Sequence, residues 1–488
     1  MTTVEQALFE TTIGLECHVE LQTKSKMFCG CEVSFGGEPN TRTCPVCLGL
    51  PGSLPVVNEK ALEYTLAIAL ALNCDIARYS LFHRKNYFYP DMTKNYQISQ
   101  YDLPFGVGGF IEISGEFGTK RVGITRVHLE EDTGKSQHVG GTGRIADSIY
   151  SLVDFNRAGT PLVEIVTEPD IASVAEARAF VNELRALLEA LGVSDVRMEE
   201  GSLRVDANIS VVRAGDGQGV KVEVKNMNSV RSVSRALAYE EERQRAALAA
   251  GEQLVQETRH FDERSGTTSP LRSKEYAFDY RYFPEPDLVP FEPSPELVAR
   301  VRAALPELPA RRRARLQASY GLGPKEAAAL AASKSTADWF EEAAGCYRGD
   351  AKKVANWVLA DLFGLANEAG ITPAEVRFAP CDLSALIDLV DAGEISGRQA
   401  KTVLQDMFES GDRPEAVAAR RGLRQISDAS ALEAAVDEVI ATHADAADKV
   451  RGGKLNAIGF LVGQVLKKTG GQANPELVNE LLRRKLSP

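Results

Sequence analysis

Long apolar runs are missing from this 488-residue sequence. The longest, around Leu66–Leu72, falls far short of the ~20 residues that a membrane-spanning helix needs. No membrane partner is expected. The opening residues, Met1-Thr2-Thr3-Val4-Glu5-Gln6, carry neither the basic stretch nor the apolar core of a secretion signal, so cytoplasmic residence is expected. In a reducing compartment the eight cysteines should be thiols or metal ligands. Positive charge is also in deficit, with a net charge of −12. The molecule as a whole should repel nucleic acid, and any RNA contact must come from a local basic patch. A complete phosphate-binding loop is lacking too. Thr133-Gly134-Lys135-Ser136 resembles the end of one, yet Leu129 stands where G-x-x-x-x-G-K-[ST] needs its first glycine.

The length exceeds a single core and predicts about two to four domains of roughly 100–200 residues. Ile13-Gly14-Leu15-Glu16-Cys17-His18-Val19-Glu20-Leu21 alternates strictly, with Glu16, His18 and Glu20 on one face. That period is the mark of a strand with its other face in a core. Further strands are expected at Phe110–Ser114, Arg121–His128, Leu162–Val166, Leu203–Val212 and Val220–Val224, and helices at Glu59–Asn73, Val174–Leu191 and Val230–Ala250. The two types do not alternate regularly, which favours a mixed α+β domain over a doubly wound one. A proline-rich passage from Pro284 to Pro295 ends it, and Ala-, Leu- and Arg-rich helical sequence follows. With a second boundary at Gly411-Asp412-Arg413-Pro414, the expected domains are 1–292, 293–410 and 411–488.

Cys29-Gly30-Cys31 and Cys44-Pro45-Val46-Cys47 form two short pairs joined by a loop containing Gly36, Gly37 and Pro39. Two such turns complete a tetrahedral S₄ shell, so a structural zinc on Cys29, Cys31, Cys44 and Cys47 is expected. Cys17, Cys74, Cys346 and Cys381 are isolated and read as core residues.

Acidic residues recur inside apolar strands: Glu164 in Leu162–Val166, Asp206 in Leu203–Ile209 and Glu223 in Val222–Asn226, besides the cluster His128-Leu129-Glu130-Glu131-Asp132. A lone acid in such a strand is costly unless paired or bound to a cation. An ion pair with Arg157 or Arg204 explains any one of them; several together suggest strands converging on a hard-cation site. Oxygen ligands plus one imidazole suit Mg²⁺ or Mn²⁺ better than zinc. The run His83-Arg84-Lys85-Asn86-Tyr87-Phe88-Tyr89-Pro90-Asp91 is basic and aromatic, and on pattern alone its rings fill a core more readily than they face a nucleotide.

These segments together resemble the B subunit of the tRNA-dependent amidotransferase. The resemblance is carried by Ile13–Leu21, Arg84–Asp91, Tyr96–Gln100 and His128–Asp132. It continues through Asp154–Ile165, Met198–Arg204, Asp279–Leu288, Gly459–Val465 and Gly471–Pro475, nearly the whole chain. The family implies a largely antiparallel, cradle-like catalytic domain, then an all-α domain and a small helical tail. It implies an ATP-dependent ligase subunit that phosphorylates the side-chain carboxylate of Glu or Asp carried on tRNA(Gln) or tRNA(Asn). Ammonia then comes from an amidase (glutaminase) partner, and a small third subunit makes up a heterotrimer. No amidase Ser-Lys signature is visible in this chain. By resemblance, Glu16, His18, Glu131, Glu164, Asp206 and Glu223 form the catalytic site, with Mg²⁺ on His18, Glu131 and Glu164. Lys85 is the candidate contact to ATP phosphate. Some family members lack the cysteine quartet; here all four residues are present.

From Lys449 to the end, eight basic residues face two acidic ones. Ile458, Leu461, Val462 and Val465 line one helix face, and Gly459 and Gly463 invite close helix packing. A basic tail on an acidic protein is an electrostatic footprint for phosphate backbone, although an ordinary solvated face explains it equally. The family assigns this tail to tRNA, which would place Lys449, Arg451, Lys454, Lys467 and Lys468 against it.

Overall fold

The computed structural model describes residues 9–140, 148–217, 219–273, 279–423, 429–452, 455–469, 473 and 475–486. It divides into two compact units, the first ending at Arg311. No helix among the described residues is long and apolar enough to cross a membrane.

The first unit is mixed α+β. Its strands are β1 (Phe9–Glu20), β2 (Asp75–Ile76), β3 (His83–Asn86), β4 (Tyr96–Ser99), β5 (Gly106–Gly115), β6 (Gly118–Glu131) and β7 (Lys135–Val139). They continue with β8 (Tyr150–Asp154), β9 (Pro161–Thr167), β10 (Leu203–Arg213), β11 (Val222–Met227), β12 (Glu257–Asp262), β13 (Thr267–Ser273) and β14 (Phe283–Pro284). Nine form one sheet in the order β13-β12-β11-β10-β1-β9-β6-β5-β2. Within it only the β11–β12 pair is parallel. β14, β3 and β4 make a small second sheet, and β7 pairs with β8. Because Lys135 opens strand β7, the Thr133–Ser136 stretch has no helix to cradle a phosphate.

The expected strands and helices are all present, with somewhat shifted ends. β2, β3, β4, β7, β8, β12, β13 and β14 were not among them. β12 shows why: it buries Thr258 and Arg259 beside Phe261, so no apolar alternation marks it.

The helices α1 (Glu59–Ala71), α2 (Val174–Leu191) and α3 (Val230–Ala249) cover one face of the large sheet. Each starts on a side-chain cap. Asn58 accepts from the Lys60 and Ala61 amides, Ser173 from Glu176 and Ser229 from Ser232. α2 ends where Gly192 adopts φ 66°, a left-handed conformation that other residues reach at a cost. Beneath these helices Ile13, Leu15, Cys17, Val19 and Leu21 of the first strand segment are almost fully buried. Each large apolar side chain there contributes roughly 1.5–3 kcal/mol. A one-residue slip of β1 would push His18 into that core, so burial locks the register.

The first unit runs past the expected edge at 292, because α4 (Pro295–Ala303) packs Leu297 and Val301 against the same core. The second unit is helical. It holds α5 (Pro309–Tyr320, starting in the first unit), α6 (Pro324–Leu330), α7 (Lys334–Cys346), α8 (Ala351–Asn356) and α9 (Phe363–Ala369). Then follow α10 (Pro380–Asp391), α11 (Gly397–Ser410), α12 (Pro414–Arg420), α13 (Ala429–Thr442), α14 (Ala444–Arg451), α15 (Ile458–Lys468) and α16 (Pro475–Leu486). The expected boundary at 411 also shifts. Val417 and Ala418 of α12 join the core of the preceding helices, and the last core begins at Leu432.

Cys346 and Cys381 correct one expectation. They are joined by a disulfide, their Cα atoms 5.4 Å apart. The end of α7 meets the start of α10, a contact that a separation of 35 residues conceals in the sequence. On α15, Ile458, Leu461 and Val465 are buried as the helical spacing requires. Gly459 and Gly463 differ from expectation: nothing lies within 4 Å of a Cβ placed on either, so no close packing depends on them.

Candidate functional site

The face of the sheet opposite the helices carries the polar residues, and strand register brings them into rows. Across β1–β10, Glu16 stands opposite Asp206 and His18 opposite Arg204. Across β1–β9, His18 faces Glu164, and across β9–β6 the same Glu164 faces His128. Asn208 faces Glu223 on β11. Five strands distant in sequence thus meet on one surface.

The tightest group is His18, Glu130 and Glu164, which offer one ligand atom each within 4.8 Å of one another. His18 Nε2 lies 3.8 Å from Glu130 Oε1 and 3.6 Å from Glu164 Oε2. His128 Nε2 lies 3.1 Å from Glu164 Oε2 and 3.7 Å from Glu130 Oε2. Burial disfavours charge on both imidazoles, yet the two carboxylates prevail. They raise the His18 pKa and push that of His128 up to about 9. Burial likewise opposes ionisation of Glu164, but His128 and His18 hold it well below the usual carboxylate range.

Glu131 is not in this group. Its Oε1 accepts from the Ile98 amide at 3.0 Å and pairs with Lys94, and its carbonyl accepts from Gln97 Nε2 at 2.7 Å. The residue lines a cavity with Lys26, Cys47, Lys94 and Tyr96. Glu130 takes the place expected of it. Side chains alternate along β6, so His128 and Glu130 share the polar face while Leu129 and Glu131 share the other. Asp132 also turns elsewhere, pairing with Arg204 Nη2 at 2.8 Å and Arg157 Nε at 3.5 Å. Burial and the neighbouring Asp132 push Glu20 up to about 8.

Glu16, Asp206 and Glu223 form a second acidic stretch beside the first. Asn208 Nδ2 donates to Glu16 Oε1 at 2.9 Å. Lys225 Nζ sits between the other two acids, 2.6 Å from Asp206 Oδ2 and 3.2 Å from Glu223 Oε1. Thr258 Oγ1 donates to Glu223 Oε2 at 2.6 Å. Lys85 lies on β3, its ammonium 5.0 Å from the centre of the Tyr280 ring. Burial opposes its charge, but Glu130 and Glu164 raise its pKa, so it belongs electrostatically to the first group. Tyr282 stacks on Tyr101 at 4.4 Å and completes an aromatic wall next to Tyr280.

The four cysteines of the loop after β1 also converge, with their sulfur atoms within 4.8 Å of one another. Cys47 Sγ accepts from the Cys44 amide at 3.1 Å, and Lys26 Nζ stands 3.6 Å away. A hydrogen bond from Cys29, aided by the Cys44 amide and Lys26 against the effect of burial, lowers the Cys47 pKa to about 4. A ready thiolate in a four-sulfur cage is the donor set of a closed tetrahedral metal site.

Several basic residues of the tail are paired within the chain. Lys468 pairs with Glu438 and Arg451 with Asp448, while Arg484 and Lys485 pair with Glu433 and Asp437 of α13. Lys449 lines a cavity with His443 and Phe460. Lys467 sits in the last turn of α15, and Lys454 lies outside the described residues.

Residues 11–299 match the family profile described as the GatB/GatE catalytic domain, and residues 338–486 match the GatB domain. The chain belongs to the GatB/GatE family. It is 54% identical over 489 residues to the aspartyl/glutamyl-tRNA(Asn/Gln) amidotransferase B subunit of Frankia casuarinae, covering 98% of this chain and 96% of that one. Proteins of the same name from Moorella thermoacetica and Carboxydothermus hydrogenoformans are 52% and 51% identical, each match covering 98% of this chain and at least 99% of the relative. The catalytic-domain match encloses both acidic groups and the cysteine cage. Sequence reasoning missed Glu130, His128 and Lys225. The alternation His128-Leu129-Glu130 contained the signal for the first two, and Val222-Glu223-Val224-Lys225 puts Lys225 on the face of Glu223, although its contact with Asp206 depends on strand pairing.

Proposed function

We propose that this chain is the carboxylate-activating subunit of a tRNA-dependent amidotransferase, a carbon–nitrogen ligase that takes its nitrogen from glutamine. The relatives' name, the B subunit of an aspartyl/glutamyl-tRNA(Asn/Gln) amidotransferase, supports that assignment. Its partners on this reading are an amidase subunit, a small third subunit, and tRNA(Gln) or tRNA(Asn) carrying Glu or Asp. The observation that carries the reading is the convergence of His18, Glu130 and Glu164 on the polar face of the sheet.

The chemistry needs such a site. A carboxylate is anionic and has no good leaving group, so ammonia does not attack it. Its oxygen first attacks the γ-phosphorus of ATP and ADP departs. Ammonia then adds to the carbonyl carbon of the acyl phosphate, and phosphate leaves. His18, Glu130 and Glu164 would hold Mg²⁺, and the ion would supply charge neutralisation for phosphoryl transfer. One imidazole and two carboxylates fit a hard divalent cation, with His18 offering Nε2, Glu130 Oε1 and Glu164 Oε2. Glu16, Asp206 and Glu223 extend the negative surface, and Lys225 balances part of it. Lys85, whose charge Glu130 and Glu164 favour, would meet an ATP phosphate on this reading. Glu131 acts from the adjoining cavity, paired with Lys94, and is not a cation ligand on this reading. Zinc on Cys29, Cys31, Cys44 and Cys47 is structural, because four thiolates leave no open position. The tail around Lys449, Arg451, Lys454, Lys467 and Lys468 grips the tRNA body.

The test is reconstitution with the amidase and small subunits. Glu-tRNA(Gln) and Asp-tRNA(Asn) are supplied separately with ATP and glutamine. Amide forms on at least one of them, and His18→Ala abolishes it. Full amide formation by this chain alone, or by the His18→Ala complex, would sink the proposal.

A further inference from the structure

Glu164 stands in the middle of a row of three, facing His18 across one edge of β9 and His128 across the other. Both imidazoles aim Nε2 at the same oxygen, Glu164 Oε2, from 3.6 Å and 3.1 Å. Their surroundings differ. The His18 side chain is 22% exposed and that of His128 only 3%. Register makes the two histidines equivalent, and burial makes them unequal.

The buried member is held on every side. Arg126 Nε lies 3.4 Å from His128 Nδ1, and Arg126 Nη2 lies 3.4 Å from Glu164 Oε1. An arginine nitrogen only donates, so this contact favours Nδ1 as an acceptor, whereas the two carboxylates favour the doubly protonated imidazole. In either form Nε2 carries a hydrogen, and it lies 3.1 Å from Glu164 Oε2. Glu130 is divided in the same way. Its Oε2 accepts from Ser99 Oγ at 3.0 Å and lies 3.7 Å from His128 Nε2, while its Oε1 faces His18 at 3.8 Å. Ser99, Arg126 and His128 thus grip the two carboxylates from the closed side. Glu130 Oε1, a second lone pair of Glu164 Oε2 and His18 Nε2 remain on the open side.

We propose that His128 is a positioning residue for the cation site. It is not a ligand. Its Nε2, 3.1 Å from Glu164 Oε2 and 3.7 Å from Glu130 Oε2, keeps two buried, mutually repelling carboxylates in one orientation, so that a divalent cation meets a preformed set of donors. This role rests on the cation site proposed above. It also makes a prediction that the site alone does not: of two histidines touching the same oxygen, only one coordinates.

Mn²⁺ binding to the full-length chain, followed by EPR, separates the possibilities. Wild-type chain should bind Mn²⁺ saturably, and pulsed EPR should detect ¹⁴N coupling from one coordinated imidazole. His128→Leu should weaken Mn²⁺ affinity by roughly 10–100-fold, the usual cost of removing an outer-shell partner, while retaining that coupling. His128→Gln, whose amide still donates, should recover most of the affinity. His18→Ala should abolish the coupling. The proposal is overturned if His128→Leu binds Mn²⁺ as the wild type does, or if His128→Gln loses the ¹⁴N coupling. Equal affinity losses in the Leu and Gln variants, matched by a lower melting temperature without Mn²⁺, would mark a packing role and overturn it too. Wild-type chain that binds no Mn²⁺ would instead bring down the cation site itself.

Discussion

Two adjacent carboxylates, Glu130 and Glu131, point to opposite faces of one strand, and that single step of the pleat decides their chemistry. Glu130 turns to His18, whereas Glu131 turns to Lys94 and the Ile98 amide. Glu130→Gln should therefore weaken Mn²⁺ binding by more than about tenfold, and Glu131→Gln by much less. Isothermal titration of both variants decides this; equal losses would remove Glu130 from the site. A second prediction concerns Glu20. Its pKa, raised to about 8 by burial and Asp132, means that the folded chain binds a proton more tightly than the unfolded chain does. Glu20 therefore lowers stability as the pH rises from the ordinary carboxyl range through about 8. Glu20→Gln should flatten that decline, as read by chemical denaturation at a series of pH values. A variant whose stability falls as steeply as wild type would place the titration elsewhere.

At the level of the element, the loop after β1 and the tail helices carry separate predictions. Removing one thiolate from the cage should release its metal. Cys44→Ser should lose the one zinc per chain expected by elemental analysis and melt at a lower temperature. β1 is held by its own core face, so Mn²⁺ binding at His18 should survive in that variant below its melting point. In the tail, Leu461 is fully buried and Gly463 is open. Leu461→Ala should cost about 2–5 kcal/mol of tail stability. Gly463→Ala should instead stabilise α15 by roughly 0.5–1 kcal/mol, because it removes backbone freedom from the unfolded helix without meeting a neighbour. Denaturant titrations followed by hydrogen exchange in the tail check both signs.

For the molecule as a whole, the basic count of the tail overstates its open positive charge. α13 brings Glu433, Asp437 and Glu438 against Arg484, Lys485 and Lys468. Those three cations are partly neutralised before any RNA arrives. Salt dependence of tRNA binding by the reconstituted complex should then show a slope corresponding to fewer phosphate contacts than the eight basic residues after residue 448 would give. A slope matching all eight would mean that RNA breaks these pairs.

The sequence by itself determined the local structure, because period-two and helical spacing are properties of neighbours. It marked β1 and its polar face, the capped helices, the four cysteines brought together by one loop, and the α+β character of the first unit. Glu130 was also legible, since alternation from Leu129 places it beside His128. Only the tertiary structure decided which acids meet. That depends on the pairing of β1 with β9 and β10, and of β9 with β6, strands more than 100 residues apart from β1 whose register is set by burial of their other faces. The same reason hides Lys225 between Asp206 and Glu223, the Cys346–Cys381 link, and the acids that cover the basic tail. Spacing within a segment specifies a face; which residues share that face is specified by the packing of segments that the chain leaves far apart.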